Sequence, residues 1–160
     1  MTIRPAVGSD LATIEALIRA LADYERLSDE VVMDAELLRQ GLFGEHPFAE
    51  VLIAEDEEAG EAVGFALFFH NFSTFLGRPG IYLEDLFVKP EHRGQGHGKA
   101  LLKRLAEIAV GRGCGRMEWA VLNWNEPSIG FYRSLGARPN EDWTVFRLTG
   151  DALQQLGSAD

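Results

Sequence analysis

Arg93-Gly94-Gln95-Gly96-His97-Gly98-Lys99 sets glycines at alternate positions between an apolar run over 81–88 and an apolar-periodic segment reaching about 110. Glycines between a strand and a helix leave backbone N–H groups uncovered at the helix N-terminus. That end carries roughly half a positive charge and readily takes an anion. Phosphate binding is the chemistry this predicts. Two phosphate motifs fail on spacing. A dinucleotide fingerprint, G-x-G-x-x-G, needs its third glycine one residue after Gly98. A P-loop, G-x-x-x-x-G-K-[ST], needs glycine where Arg93 stands and a hydroxyl where Ala100 stands. An ordinary strand-to-helix turn is the other reading, since glycine is the default wherever φ must be positive.

A second signal lies just upstream. Glu84 and Asp85 interrupt an apolar run, with Ile81-Tyr82-Leu83 before them and Leu86-Phe87-Val88 after. Carboxylates there are costly to bury without partners. Adjacent residues of a strand point to opposite faces, so the two are expected to differ in environment. One of them can bind a cation and take its proton; a plain structural salt bridge is the alternative.

The elements that must position these residues follow from periodicity. A short strand over 2–4 precedes a helix capped by Ser9 or Asp10, with Leu11, Ile14, Leu17, Ile18 and Leu21 at helical spacing. Asp34 is expected to cap a second helix over 35–41. Strands are predicted over 51–55 and 62–70, joined by an acidic tip at 57–61, and residues 75–80 read as a loop. The run 81–88 is expected to be the central strand, ended by Lys89-Pro90, and the glycine loop opens a helix over about 98–110. A strand at 117–122, a two-turn helix begun by Asn125 or Glu126 with Pro127 and stopped by Gly136, and a closing strand at 144–148 complete the chain. The pattern is one α/β domain over 1–160 with a mixed, mostly antiparallel sheet flanked by helices.

Composition narrows the chemistry. The chain has 160 residues, 46% of them hydrophobic and 25% charged, which suits a single globular domain. No apolar run approaches the ~20 residues that span a bilayer, and the first residues lack the apolar stretch of a signal peptide. The net charge of −10 argues against nucleic acid and is compatible with a cationic substrate. Cys114 is the single cysteine, so no intrachain disulfide forms, as in a reducing, cytoplasmic setting. Its thiol could relay an acyl group; burial as a small apolar residue is the other reading. His46, His70, His92 and His97 show no metal-ligand spacing, and no metal site is expected.

Arg93, Gly96 and Gly98 also match the pattern [Q/R]-x-x-G-x-[G/A]. With Ile3-Arg4-Pro5-Ala6, Tyr24-Glu25, Phe43-Gly44-Glu45-His46-Pro47-Phe48, Tyr82-Leu83-Glu84-Asp85 and Trp124-Asn125-Glu126-Pro127-Ser128, the chain resembles the Gcn5-related N-acetyltransferases along nearly its whole length. Within that superfamily it looks most like the spermidine/spermine acetyltransferase group and its thialysine branch.

The resemblance implies transfer of an acetyl group from acetyl-CoA to a primary amine of a small cationic molecule, by direct attack in a ternary complex. Amides of Gly94, Gln95, Gly96, His97, Gly98 and Lys99 would cradle the pyrophosphate, with Arg93 shaping the loop or pairing with a phosphate. Backbone groups of Leu86, Phe87 and Val88 would meet the pantetheine arm. Asn125 and Ser128 match further CoA contacts, though both residue types also cap helices. Tyr132 matches a general acid for the leaving thiolate; packing beside Ile129 and Leu135 is its alternative. Glu84 matches the group that handles substrate and proton, and Asp85 one that anchors local structure or adds field. Tyr24 and Glu25 match positions lining the amine site, against readings as a surface cap or a dimer contact. The spermidine/spermine enzymes it resembles carry an aspartate in the loop before the Glu84 strand, where this chain reads Asn71-Phe72-Ser73-Thr74-Phe75-Leu76-Gly77, more like the thialysine branch. Short amines are therefore favoured over long polyamines. A homodimer is implied. The rivals are a peptide acetyltransferase and a CoA-binding sensor without turnover.

Overall fold

The computed structural model describes residues 1–158. They fall into two compact units, one from Met1 to Ala120 and one beginning at Val121. The first unit holds a five-stranded sheet in the order β1 (Thr2–Pro5), β2 (Glu50–Asp56), β3 (Glu61–Ser73), β4 (Arg78–Val88), β5 (Met117–Trp119). Neighbours run antiparallel except β4 and β5, which are parallel. A parallel neighbour needs a crossover, and helix α3 (His97–Gly111) supplies it. Two more helices, α1 (Leu11–Tyr24) and α2 (Ala35–Phe43), lie between β1 and β2 in sequence.

The helical stripe read from the sequence is the buried one. Ile14, Leu17 and Leu21 of α1 pack with Val51, Ile53, Phe65 and Phe87 of the sheet. Leu101, Leu102, Leu105 and Ala109 form the buried side of α3, which packs on β3 and β4. Asp34 caps α2 as expected, its Oδ1 accepting the amides of Glu36 and Leu37 at 2.8 and 3.0 Å.

Several elements differ from expectation. Asp10 occupies the N-cap position of α1 without capping it. Its carboxylate instead takes both terminal nitrogens of Arg4 at 2.8 and 2.9 Å and the Val7 amide at 2.7 Å. A bidentate pair with a guanidinium, charged on both sides, is stronger than a carboxylate's single bond to a cap amide. The loop expected at 75–80 shrinks to a turn, because β3 runs on to Ser73 and β4 begins at Arg78. Gly80 pairs opposite Asn71, and a Cβ there would strike the Asn71 side chain; this glycine permits close approach rather than breaking a strand. The run 81–88 belongs to β4, which lies between β3 and β5, so β3 is the central strand.

The second unit holds α4 (Glu126–Ser134) and α5 (Gly150–Ser158). Helix α4 ends as predicted near Gly136, whose amide bonds the Arg133 carbonyl at 3.0 Å. The strand expected at 117–122 stops at Trp119. The closing strand expected at 144–148 is absent: among the described residues nothing forms a ladder with it, and Val145 and Phe146 are 89% and 91% exposed. β-branched and aromatic residues do not make a strand when no neighbour accepts its backbone bonds.

Candidate active site

The first unit places an uncapped helix start shortly after the end of β4. Strand β5 pairs only with Ile81, Tyr82 and Leu83, so over residues 84–88 that edge of β4 has no strand partner among the described residues. Leu86, Phe87 and Val88 therefore sit at a strand edge whose backbone can pair with an extended ligand. A 3-10 turn, Pro90–His92, follows and leads into the glycine loop. Gly94 and Gly96 adopt φ of +76° and +91°, the left-handed region that side chains resist. Gly96 is the N-cap of α3 and offers no side chain to cap it; the first helical bond runs from the Ala100 amide to the Gly96 carbonyl at 2.9 Å. The amides of His97, Gly98 and Lys99 precede that bond, and the residues from Arg93 to Gly96 are exposed.

Arg93 braces this loop. Its Nε donates to the Val88 carbonyl at 3.0 Å, and its guanidinium lies 4.1 Å over the Tyr24 ring. Of the two roles expected for Arg93, shaping the loop is the one these contacts perform. The His97 ring is buried, so only its backbone faces the loop's task.

The carboxylates are arranged by a register slip. Leu67 pairs with Asp85 and Phe68 with Leu83, leaving Glu84 as the extra residue of a β-bulge. Simple alternation, the basis for expecting opposite faces, therefore does not hold here. Bulges re-aim side chains and occur beside active sites. Glu84 is exposed, while Asp85 is largely buried and its pKa is pushed up to about 6. Burial is the main cause, followed by the negative charges of Glu84 and Glu25. Glu25, just past the end of α1, is itself raised by burial. The charges named as raising Asp85 are both negative. Tyr24 links the two halves of the site, touching Arg93 of the loop while its neighbour Glu25 acts on Asp85.

In the second unit, Asn125 is buried and its Oδ1 accepts the Ser128 amide at 3.4 Å, the N-cap of α4. The capping alternative noted for Asn125 is thus realised. Asn125→Ala should lower the unfolding free energy by about 1 kcal/mol, with Asn125→Ser nearly neutral, in chemical denaturation. Ser128 and Tyr132 stand four residues apart on α4 and share a face. Tyr132 is half-buried, its ring 5.5 Å from that of Phe131. Cys114 is half-buried in the turn after α3.

Sequence spacing missed one constellation. Asp56, at the end of β2, comes together with His92 and His97. The two histidines alone carry no ligand spacing, and the carboxylate arrives from a hairpin distant in the chain.

An uncapped helix start beside an open strand edge, next to clustered carboxylates, has the chemistry to suit a phosphate group and a cation. Residues 14–137 match the model of the acetyltransferase (GNAT) family. The chain is 45% identical to thialysine N-epsilon-acetyltransferase of Sus scrofa, covering 96% of this chain and 95% of that protein. It is 32% identical to an L-ornithine N5-acetyltransferase of Arabidopsis thaliana, over 96% and 86% of the two chains. Among solved structures, an integron cassette protein from the mobile metagenome of V. cholerae superposes with a TM-score of 0.81 at 27% identity, over 99% of this chain and 98% of that one. The chain belongs to the GNAT family of acetyltransferases. It is an acetyl-transferring enzyme with the α/β fold of that family, whose members use acetyl-CoA as cosubstrate.

Proposed function

We propose that the enzyme acetylates a primary amine of a small cationic substrate, a diamine, polyamine or lysine analogue such as thialysine, by direct attack in a ternary complex. The cluster of Glu25, Glu84 and Asp85 is the observation that carries this reading. Burial and the charges of Glu84 and Glu25 raise the Asp85 carboxyl, and that cost is relieved when a cation enters. An alkyl ammonium titrates near 10.4, so roughly one molecule in a thousand is nucleophilic at pH 7. Glu84, exposed at the bulge, receives the ammonium and takes its proton directly or through water, while ionised Asp85 and Glu25 supply the field. Tyr24 lines the same site.

Amides of Gly94, Gln95, Gly96, His97, Gly98 and Lys99 hold the pyrophosphate, and the β4 edge at Leu86, Phe87 and Val88 orients the pantetheine arm. As the amine nitrogen bonds to the acetyl carbon, the C–S bond breaks and Tyr132 protonates the departing thiolate. Asn125 and Ser128 add CoA contacts. Gly96→Ala should weaken acetyl-CoA binding roughly tenfold by calorimetry, since a side chain at this φ costs about 1–2 kcal/mol.

The preference for short amines rests on the β3–β4 turn. Asn71 donates to Glu118 at 2.9 Å, and Arg116 already pairs with Glu118 at 2.8 Å, so no spare carboxylate there meets a distant second cation. The thialysine and ornithine acetyltransferases above support the same choice. Residues 1–160 are proposed to act as one domain, which the family match across both units supports. The proposal includes a cytoplasmic homodimer without nucleic-acid or membrane partners. Net charge −10 supports the exclusion of polyanions, and no helix among the described residues is long and apolar enough to cross a membrane.

CoA-thiol release with putrescine, spermidine, spermine, lysine, thialysine and a basic peptide tests the reading. Turnover on a short amine or lysine analogue is expected. Turnover on the peptide alone would assign a peptide acetyltransferase, and silence with acetyl-CoA still bound would assign a sensor.

A further inference from the structure

We propose that Asp56, His92 and His97 form a binding site for a divalent transition metal, zinc by ligand type, apart from the acetyl-transfer chemistry. Each contributes one ligand atom, and these atoms lie within 4.8 Å of one another. They come from separate elements: the end of β2, the 3-10 turn after β4, and the first residue of α3. His97 is only 3% exposed, and its Nδ1 has no hydrogen-bond partner. The Nδ1 of His92 is enclosed and unbonded as well. It lies 3.5 Å from Asp56 Oδ2, within reach of an ion pair but out of line for a hydrogen bond. Buried ring nitrogens without partners forfeit hydration for nothing, and each such group calls for an explanation. Two in one carboxylate-bearing cluster share one explanation: both are lone-pair donors to an ion.

The surroundings are those of a metal site's outer shell. Asp56 Oδ1 accepts the amides of Glu58 and Ala59 at 2.9 and 3.3 Å, which fixes the carboxylate and leaves Oδ2 toward His92. Glu61 Oε1 lies 3.4 Å from His92 Nε2, and its other oxygen is held by Lys89 at 2.8 Å. A carboxylate on Nε2 keeps the proton there and frees the Nδ1 lone pair, the arrangement that orients histidine ligands. Two imidazoles and one carboxylate, with an open position, match zinc sites. Ligands at 2.0–2.1 Å in a tetrahedron stand about 3.4 Å apart, so binding draws the present group inward by about an ångström. The ion would tie the β2–β3 hairpin to the turn and helix start that frame the glycine loop.

The test uses tag-free, chelator-treated protein, titrated with zinc by calorimetry and with cobalt(II) by its visible absorption. One equivalent per chain with a micromolar or tighter Kd and a rise in Tm is expected. His92→Gln and Asp56→Asn should each weaken binding at least roughly tenfold, and Glu61→Gln should weaken it less. Failure of the wild-type protein to bind either ion stoichiometrically overturns the proposal, whatever the variants do. Undiminished binding in both His92→Gln and Asp56→Asn overturns it too. Neither readout depends on acetyl transfer.

Discussion

Replacing Tyr132 with phenylalanine is expected to lower kcat by about 10²- to 10⁴-fold while acetyl-CoA affinity stays within about twofold. The substitution removes one oxygen. Phenylalanine keeps the ring beside Phe131 and the helical backbone, whose Tyr132 carbonyl still accepts the Leu135 and Ala137 amides. A packing role would therefore leave the rate nearly unchanged. A phenol titrating near 10 is protonated at neutral pH and can give that proton to the departing thiolate. Steady-state kcat at saturating amine, with acetyl-CoA binding measured separately, distinguishes the two. An unchanged kcat would remove Tyr132 from the chemistry and leave it as a packing residue of α4.

Asp85→Asn should move stability and activity in opposite directions. The carboxyl titrates at about 6 in the folded chain against an ordinary 3.8. Between those values the folded state binds more proton than the unfolded chain, so stability falls as pH rises through that window. Above pH 6 the whole cost is present, and below about pH 4 it is gone. A pKa unit corresponds to about 1.4 kcal/mol, which bounds the gain on removing the charge at about 3 kcal/mol near pH 7.5. A gain on the order of 1–3 kcal/mol is expected in denaturant melts at pH 7.5, vanishing near pH 4. The same variant should lose tenfold or more in kcat/KM for the amine, because the neutral amide no longer attracts the cation. Stabilisation that costs activity is the signature of a charge kept for function. Loss of both together would mean that Asp85 is a structural residue.

The parts legible in the sequence were those encoded over short spans. The glycine loop marks the uncapped start of α3 through spacing alone, and Asp34 and Asn125 cap the helices they precede. Helical stripes in α1 and α3 identify their buried faces. What escaped depends on partners far along the chain. The bulge at Glu84 exists only in the register between β3 and β4, so the sequence shows two adjacent acids without revealing which is buried. Gly80 carries the same residue type whether it breaks a strand or admits a close neighbour. Asp56 joins His92 and His97 only once the hairpin folds. The segment 144–148 has the β-branched and aromatic residues of a strand, yet no neighbour among the described residues takes its backbone bonds.

The central claim is that a carboxylate cluster at the β4 bulge activates the amine. Its most direct measurement is the pH dependence of kcat/KM for the preferred amine, in the wild type and in Asp85→Asn. The wild type should drop tenfold or more to a lower plateau as pH falls through roughly 6, from the Asp85 titration, while acetyl-CoA affinity holds steady. In Asp85→Asn that break should disappear on a lowered profile. A wild-type profile flat through pH 6, or the same break retained in the variant, would contradict the account.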